Sequence, residues 1–151
     1  MTALPPDNLG WQLDHVAHAV NSIDAALKSH HAVFSSEVYF RELLETEQVE
    51  VAFLAPVGTD PTQPFHSTLI ELIAPLPGNV HLQKFLSKRG ESLHHLAFRV
   101  PSIERELKRL AARGVKCIDA APRKGAYGAL VAFLHPSAMN GVLVELVERN
   151  V

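Results

Sequence analysis

Two histidines and two glutamates recur in equivalent settings along this 151-residue chain. His15 lies in "LDHVAHAV" and His95 in "LHHLAFRV", while Glu71 lies in "LIELI" and Glu145 in "LVELV". Two neutral imidazoles and two carboxylates would give a divalent cation such as Co, Mn, Fe, Ni or Zn two nitrogen and two oxygen ligands. Positions would stay open for water or substrate. A lone glutamate between aliphatic neighbours in a strand reads more simply as a residue on a solvated face. Two of them, each matched to a histidine, weigh against that simpler reading.

The matching is part of an internal repeat. "LDHVAHAVNSIDAAL" (13–27) aligns with "LHHLAFRVPSIEREL" (93–107) at an offset of 80, with seven of fifteen positions identical. At the same offset "VAFLAP" (51–56) falls on "VAFLHP" (131–136), and at an offset of 74 "TLIELIA" (68–74) falls on "VLVELVE" (142–148). The loop 57–67 is longer than 137–141 and absorbs the difference, as loops do while strands keep register. The repeat also separates two adjacent histidines, because His95 aligns with His15 whereas His94 aligns with Asp14. Strand alternation then sends His94 to the opposite face. His18, three residues from His15, is likewise expected on the far face. His30 and His31 end a helix, His66 and His81 lie in or beside loops, and His135 sits in an "HP" turn. Glu148 is expected to face away from Glu145.

Each half reads as a strand, a helix and three short strands. The first strands are 13–20 and 93–100, and the helices follow N-cap candidates Asn21 or Ser22 and Ser102. In the second helix Ile103, Leu107, Leu110 and Ala111 share a face, and Gly114 closes it. Strands 48–54 with 68–73, and 129–134 with 142–147, complete two βαβββ units. "GNVHLQKFLSKRG" (78–90) predicts a connecting helix from Asn79 to Gly90, with Val80, Phe85 and Leu86 on its buried side. The expected fold class is α+β: two tandem βαβββ modules forming curled antiparallel sheets around a metal cleft. They make one domain over 10–151, with halves of about 10–77 and 91–151.

The hydrophobic fraction is 47%, the charged fraction 20% and the formal net charge -2, which gives no reason to expect nucleic acid as a partner. The opening "MTALPPDNLGW" has neither the basic start nor the apolar run of a signal peptide. No segment approaches the ~20 apolar residues of a membrane span, so a cytoplasmic location is expected. Cys117, the single cysteine, excludes an internal disulfide and reads as a structural thiol in a short apolar strand.

On "LDHVAHAV", "VAFLAP", "IELIAPL", "LHHLAFRV", "KGAYG" and "AFLHPSAMNGVLVELVE", the sequence from about Leu13 to Glu148 resembles the methylmalonyl-CoA epimerases of the vicinal oxygen chelate superfamily. The resemblance implies that His15, Glu71, His95 and Glu145 hold the metal, with cobalt the usual ion. It also implies a homodimer that interconverts the epimers of an acyl-CoA substrate. Glu145 would be the principal catalytic base and Glu71 the group on the opposite face of the α-carbon. Some members carry a further glutamate on the strand at 48–54, where this chain has Val51; Glu50 is one residue out of phase and so is expected to be solvated. Arg123 and Lys124 in "PRKGAYG" are candidate cations for CoA phosphates, though a solvated pair is as good a reading. A glyoxalase I-like lyase or isomerase and a non-catalytic small-molecule binding protein of the same fold are the alternatives.

Overall fold

The computed structural model describes residues 9–150. The opening segment as far as Asn8, read above for targeting signals, lies outside the described residues, as does Val151. Among the described residues no helix is long and apolar enough to cross a membrane.

The first half runs β1 (Gln12–Ala19), α1 (Ile23–Phe34), β2 (Glu37–Leu44), β3 (Val49–Ala55), β4 (Leu69–Pro75). After the connector α2 (Val80–Arg89), the second half runs β5 (Ser92–Arg99), α3 (Ile103–Ala112), β6 (Arg123–Lys124), β7 (Leu130–Leu134), β8 (Val144–Glu148). Each helix starts where a side chain can take up an orphan amide. Ser22 Oγ accepts from Ala25 N, Asn79 Oδ1 from Leu82 N and Ser102 Oγ from Arg105 N.

The two βαβββ units join into one curled, mixed sheet of eight strands, ordered β2-β3-β4-β1-β5-β8-β7-β6. The first and last strands of each unit pair in parallel (β1 with β4, β5 with β8), and the remaining pairs are antiparallel. The halves meet at β1 and β5, so the strands that carry the histidines become neighbours at the centre.

Alternation divides the core. Ala52, Leu54, Leu72 and Ala74 pack under α1 with Ile23 and Ala26, while Ala132, Leu134, Val144 and Leu146 pack under α3. Their strand neighbours Val51, Phe53 and Ile73, and Val131 and Val147, take the other face, which curls into the cleft. Ile103, Leu107 and Leu110 anchor α3 as expected, each stabilising by about 1.5–3 kcal/mol on full burial. Ala111, expected on that face, is exposed, and the buried stripe instead includes Glu106. That carboxylate accepts a 2.7 Å bond from Arg109 Nε, which removes the cost of an unpaired buried charge. In α2 the buried residues are Leu82 and Leu86; Val80, at the first turn, is exposed, and Phe85 turns toward the cleft.

The long loop 57–67 is pinned rather than loose. Phe65 within it is buried, its carbonyl accepts from Arg99 Nη2 at 2.7 Å, and its ring lies 5.2 Å from that of Tyr127. Cys117 is half-buried and bridges to Leu134, and burial followed by Asp119 raises its thiol pKa, as a structural role requires.

At the far edge the backbone of Gly125 presses against β7, where a Cβ would stand 2.6 Å from Val131 Cγ1. Gly125→Ala is therefore expected to cost about 1–3 kcal/mol in urea unfolding. The same substitution in a Val131→Ala background should cost clearly less. Equal costs in the two backgrounds would show that the contact is not the cause.

Candidate metal centre

Strand register assembles the four side chains from two rows that run in opposite directions across the sheet. In one row Phe53 pairs with Glu71, Glu71 with Ala17 and Ala17 with His95. In the other His15 pairs with Ala97, Ala97 with Glu145 and Glu145 with Phe133. The rows exchange under the repeat, so the site has a pseudo-twofold axis between β1 and β5. In each row an alanine with no exposed surface separates a glutamate from the other half's histidine. Any larger side chain there would fill the space into which the donors converge.

All four donors are buried. Glu145 Oε2 lies 2.7 Å from His95 Nε2 and 3.3 Å from His15 Nε2. Glu71 Oε2 lies 3.4 Å from His15 Nε2, and its Oε1 lies 4.0 Å from His95 Nε2. The ligand atoms of His15, His95 and Glu145 fall within 4.8 Å of one another, a spacing a single cation could bridge. An aromatic edge supports each imidazole: Phe53 at 5.3 Å from His15 and Phe133 at 5.4 Å from His95. These are the phenylalanines of the repeated "VAFL" blocks.

The residue before each histidine orients it. The β1–β5 register slips between Leu13 and His15 and again between Ala17 and His18, which leaves Asp14 on β1 and His94 on β5 as bulged residues. A bulge re-aims its side chain, so alternation does not turn His94 away as expected. Its Nδ1 lies 2.9 Å from His95 Nδ1, and it lines the cleft. At the equivalent place His15 Nδ1 donates to Asp14 Oδ2 at 2.7 Å. Asp14 in turn accepts two bonds from Arg149, from Nε at 2.9 Å and Nη2 at 2.7 Å. The guanidinium is buried and stacks 3.7 Å from the centre of the Phe65 ring. Such outer contacts fix imidazole tautomer and direction.

Charge follows from this arrangement. Burial alone would depress His15, yet Glu71, Asp14 and Glu145 push its pKa up to about 10. Burial opposes ionisation of Asp14, but Arg149 and His15 hold it down at about 2. Burial drives Glu71 up against the pull of His15 and His95, whereas His95 and His15 overcome burial at Glu145 and hold it well below the usual carboxylate range. Burial and the neighbouring His95 lower His94 to about 4, so it is neutral near pH 7.

Over the centre opens a cavity of about 790 Å³, walled mainly by apolar side chains such as Val51, Ile73, Phe85, Val131 and Phe133. That is room for a small acyl group and part of a longer chain.

Residues 14–133 match the Glyoxalase/Bleomycin resistance protein/Dioxygenase superfamily. The chain belongs to that superfamily. Within it, a mitochondrial methylmalonyl-CoA epimerase of Dictyostelium discoideum is 34% identical over 91% of this chain and 78% of its own. An ethylmalonyl-CoA/methylmalonyl-CoA epimerase of Cereibacter sphaeroides is 34% identical over 89% of this chain and 96% of its own. A methylmalonyl-CoA epimerase solved in complex with methylmalonyl-CoA and NH4+ superposes with a TM-score of 0.83, at 28% identity over 93% of this chain and 95% of that one. With these relatives the chain is an epimerase, an enzyme of the isomerase class.

Other superfamily positions fall where the register puts them. Val51 lines the cavity, and β3 pairs with β4 without a slip, so nothing brings Glu50 round to the cleft. Glu50 instead accepts a 2.6 Å bond from Arg41 Nε. Arg123 is held by Glu47 at 2.7 Å and Asp119 at 3.2 Å. Glu148 caps α3 by accepting from Ile103 N, and His135 accepts from Ser137 N. His18 packs on His30, 3.2 Å away, under α1 and off the cleft. His81 stands in the first turn of α2, beside the loop that precedes it as expected, and reaches the cavity. Asp14 and Arg149 are the site residues that sequence reasoning missed; the only signal was a polar residue preceding each repeated histidine.

Arg149→Met removes two of the three side-chain bonds to the buried Asp14 carboxylate and leaves only His15, and unfolding in urea should show a loss of about 3–5 kcal/mol. Asp14→Asn combined with Arg149→Met should recover much of it, because no unpaired charge is then left inside. A loss under about 1 kcal/mol in the single variant would mean that the pair does not hold the centre.

Proposed function

We propose that this chain epimerises an acyl-CoA whose α-carbon carries a carboxylate, methylmalonyl-CoA foremost, by passing the α-proton between Glu145 and Glu71 beside a bound divalent cation. The observation that carries this reading is a pair of orphans. Among the described residues, Nε2 of His15 and Nε2 of His95 are buried without a well-directed hydrogen-bond partner, although carboxylate oxygens crowd both. Buried polar atoms without partners are rare in folded proteins, and two imidazole nitrogens aimed at one point beside carboxylates fit a cation that displaces the proton on His15. His15, His95, Glu145 and Glu71 would hold it; cobalt is the ion the resemblance implies, and Mn, Ni, Zn or Fe suit the same donors. When bound, the cation supplies Lewis acidity that stabilises negative charge on the substrate's thioester oxygen as the α-proton leaves.

The protein's own groups divide the proton work. Epimerisation needs a base on one face of the carbon and an acid on the other, and the two glutamates come from opposite halves of the sheet. Both His contacts of Glu145 fall on Oε2, which leaves Oε1 to take a proton, whereas Glu71 turns one oxygen to each histidine. The surroundings lower Glu145 and raise Glu71, and two carboxyls whose affinities for a proton are pushed apart suit separate base and acid roles. A cytoplasmic homodimer completes the reading by family resemblance.

Hydrogen exchange at the α-carbon of methylmalonyl-CoA in deuterated water tests the reaction. Metal-loaded protein should exchange the proton, and Glu145→Gln should lower the rate by roughly 10²–10⁴-fold. Efficient turnover of a hemithioacetal with no α-proton exchange would favour the glyoxalase I-like alternative. Cation binding has its own signature. In the metal-free protein His15 keeps its proton up to about pH 10, and that proton must leave when the cation enters. Affinity measured by metal titration between pH 6 and 8 should therefore rise about tenfold per pH unit. A flat profile would rule out displacement of that proton.

A further inference from the structure

Behind the outer face of α2 a second cavity of about 330 Å³ adjoins the metal cleft. The two share His81, Phe85, His94 and Leu143, so one opens beside the other. The second is lined by Lys84, Lys88 and Arg89, and among the described residues no carboxylate lines it. Helix α2 and its caps, 79–90, contain no Asp or Glu at all. A helix C-terminus attracts cations, which accounts for Lys88 and Arg89 in the last turn. It does not account for Lys84 one turn earlier, or for a concave surface between these cations and the cleft. Arg89 is also held in place, its guanidinium 5.5 Å from the centre of the Phe85 ring at the boundary of the two cavities.

The opposite mouth offers less. Arg123 there is already neutralised by Glu47 and Asp119, which leaves little attraction for a further anion. A chain with formal net charge -2 gathers a polyanion through a local cluster, and the uncompensated one beside the cleft is on α2.

We infer that the groove of Lys84, Lys88 and Arg89 binds the phosphates of the nucleotide tail of an acyl-CoA, whose pantetheine arm leaves the metal cleft past Phe85 and His94. This rests on the acyl-CoA reading above. Lysine and arginine suit the contact because charge-assisted bonds to phosphate are about twice as strong as neutral ones. His94 thereby stands at the junction, one ring nitrogen turned to His95 and the ring edge 4.8 Å from Phe85.

The test compares two esters on Lys84→Glu/Lys88→Glu, a pair of exposed positions where charge reversal leaves the core intact. For methylmalonyl-CoA the KM should rise by roughly tenfold or more with kcat little changed, since the lost contact is remote from the reacting carbon. For methylmalonyl-pantetheine, which lacks the nucleotide, neither constant should move. Equal effects on both esters, or none on either, would overturn the inference. So would Lys124→Glu producing the KM rise that the double variant does not. Should the wild-type protein exchange the α-proton of neither ester, the epimerase reading fails, and direct binding still tests the groove. Adenosine 3′,5′-bisphosphate should bind the wild type and bind the double variant at least roughly tenfold more weakly; equal binding would overturn the assignment.

Discussion

Two imidazole nitrogens and two carboxylates share a few ångströms of buried space, and that concentration of donors is the constraint the sheet serves. Groups of this polarity do not stay together inside a protein unless charge balances among them. In the metal-free protein a proton on His15 supplies part of the balance, and Arg149 supplies more from behind Asp14. A divalent cation would supply the rest at the point where both Nε2 atoms lack well-directed partners among the described residues. Ala17 and Ala97 leave the volume free, and Phe53 and Phe133 fix the ring edges.

Duplication explains why the four side chains can be held rigidly. Each comes from a different central strand, and two equivalent rows bring them together without a loop taking part. The symmetry is nevertheless broken where it matters for chemistry. Behind His15 stands an ionised aspartate clamped by arginine, whereas behind His95 stands a neutral imidazole. The two glutamates accordingly shift in opposite directions, Glu71 upward and Glu145 downward, and a proton passed from one face of a carbon to the other would draw on such a difference.

Much of this was legible in the residues. The repeat placed His15 over His95 and Glu71 over Glu145, and alternating apolar positions gave the two βαβββ units and their helix caps. What failed did so for physical reasons. His94 was sent to the wrong face because a period of two cannot anticipate a bulge. Arg149 reaches Asp14 across 135 positions of sequence, a pairing that local pattern does not carry. Glu106 replaced Ala111 on the buried face of α3 because Arg109 satisfies it, and Phe85 packs against the core as expected while its exposed side lines the cavity. Edge pairing of β1 with β5, which turns two units into one sheet, depends on contacts between halves.

The central claim is that these four side chains surround a single cation. X-ray absorption at the cobalt edge on protein loaded with one equivalent of Co(II) tests it most directly. The account predicts a first shell of nitrogen and oxygen with the outer-ring scattering of two imidazoles, falling to one imidazole in His15→Ala and in His95→Ala. A shell without imidazole scattering, or one that neither substitution alters, would contradict it.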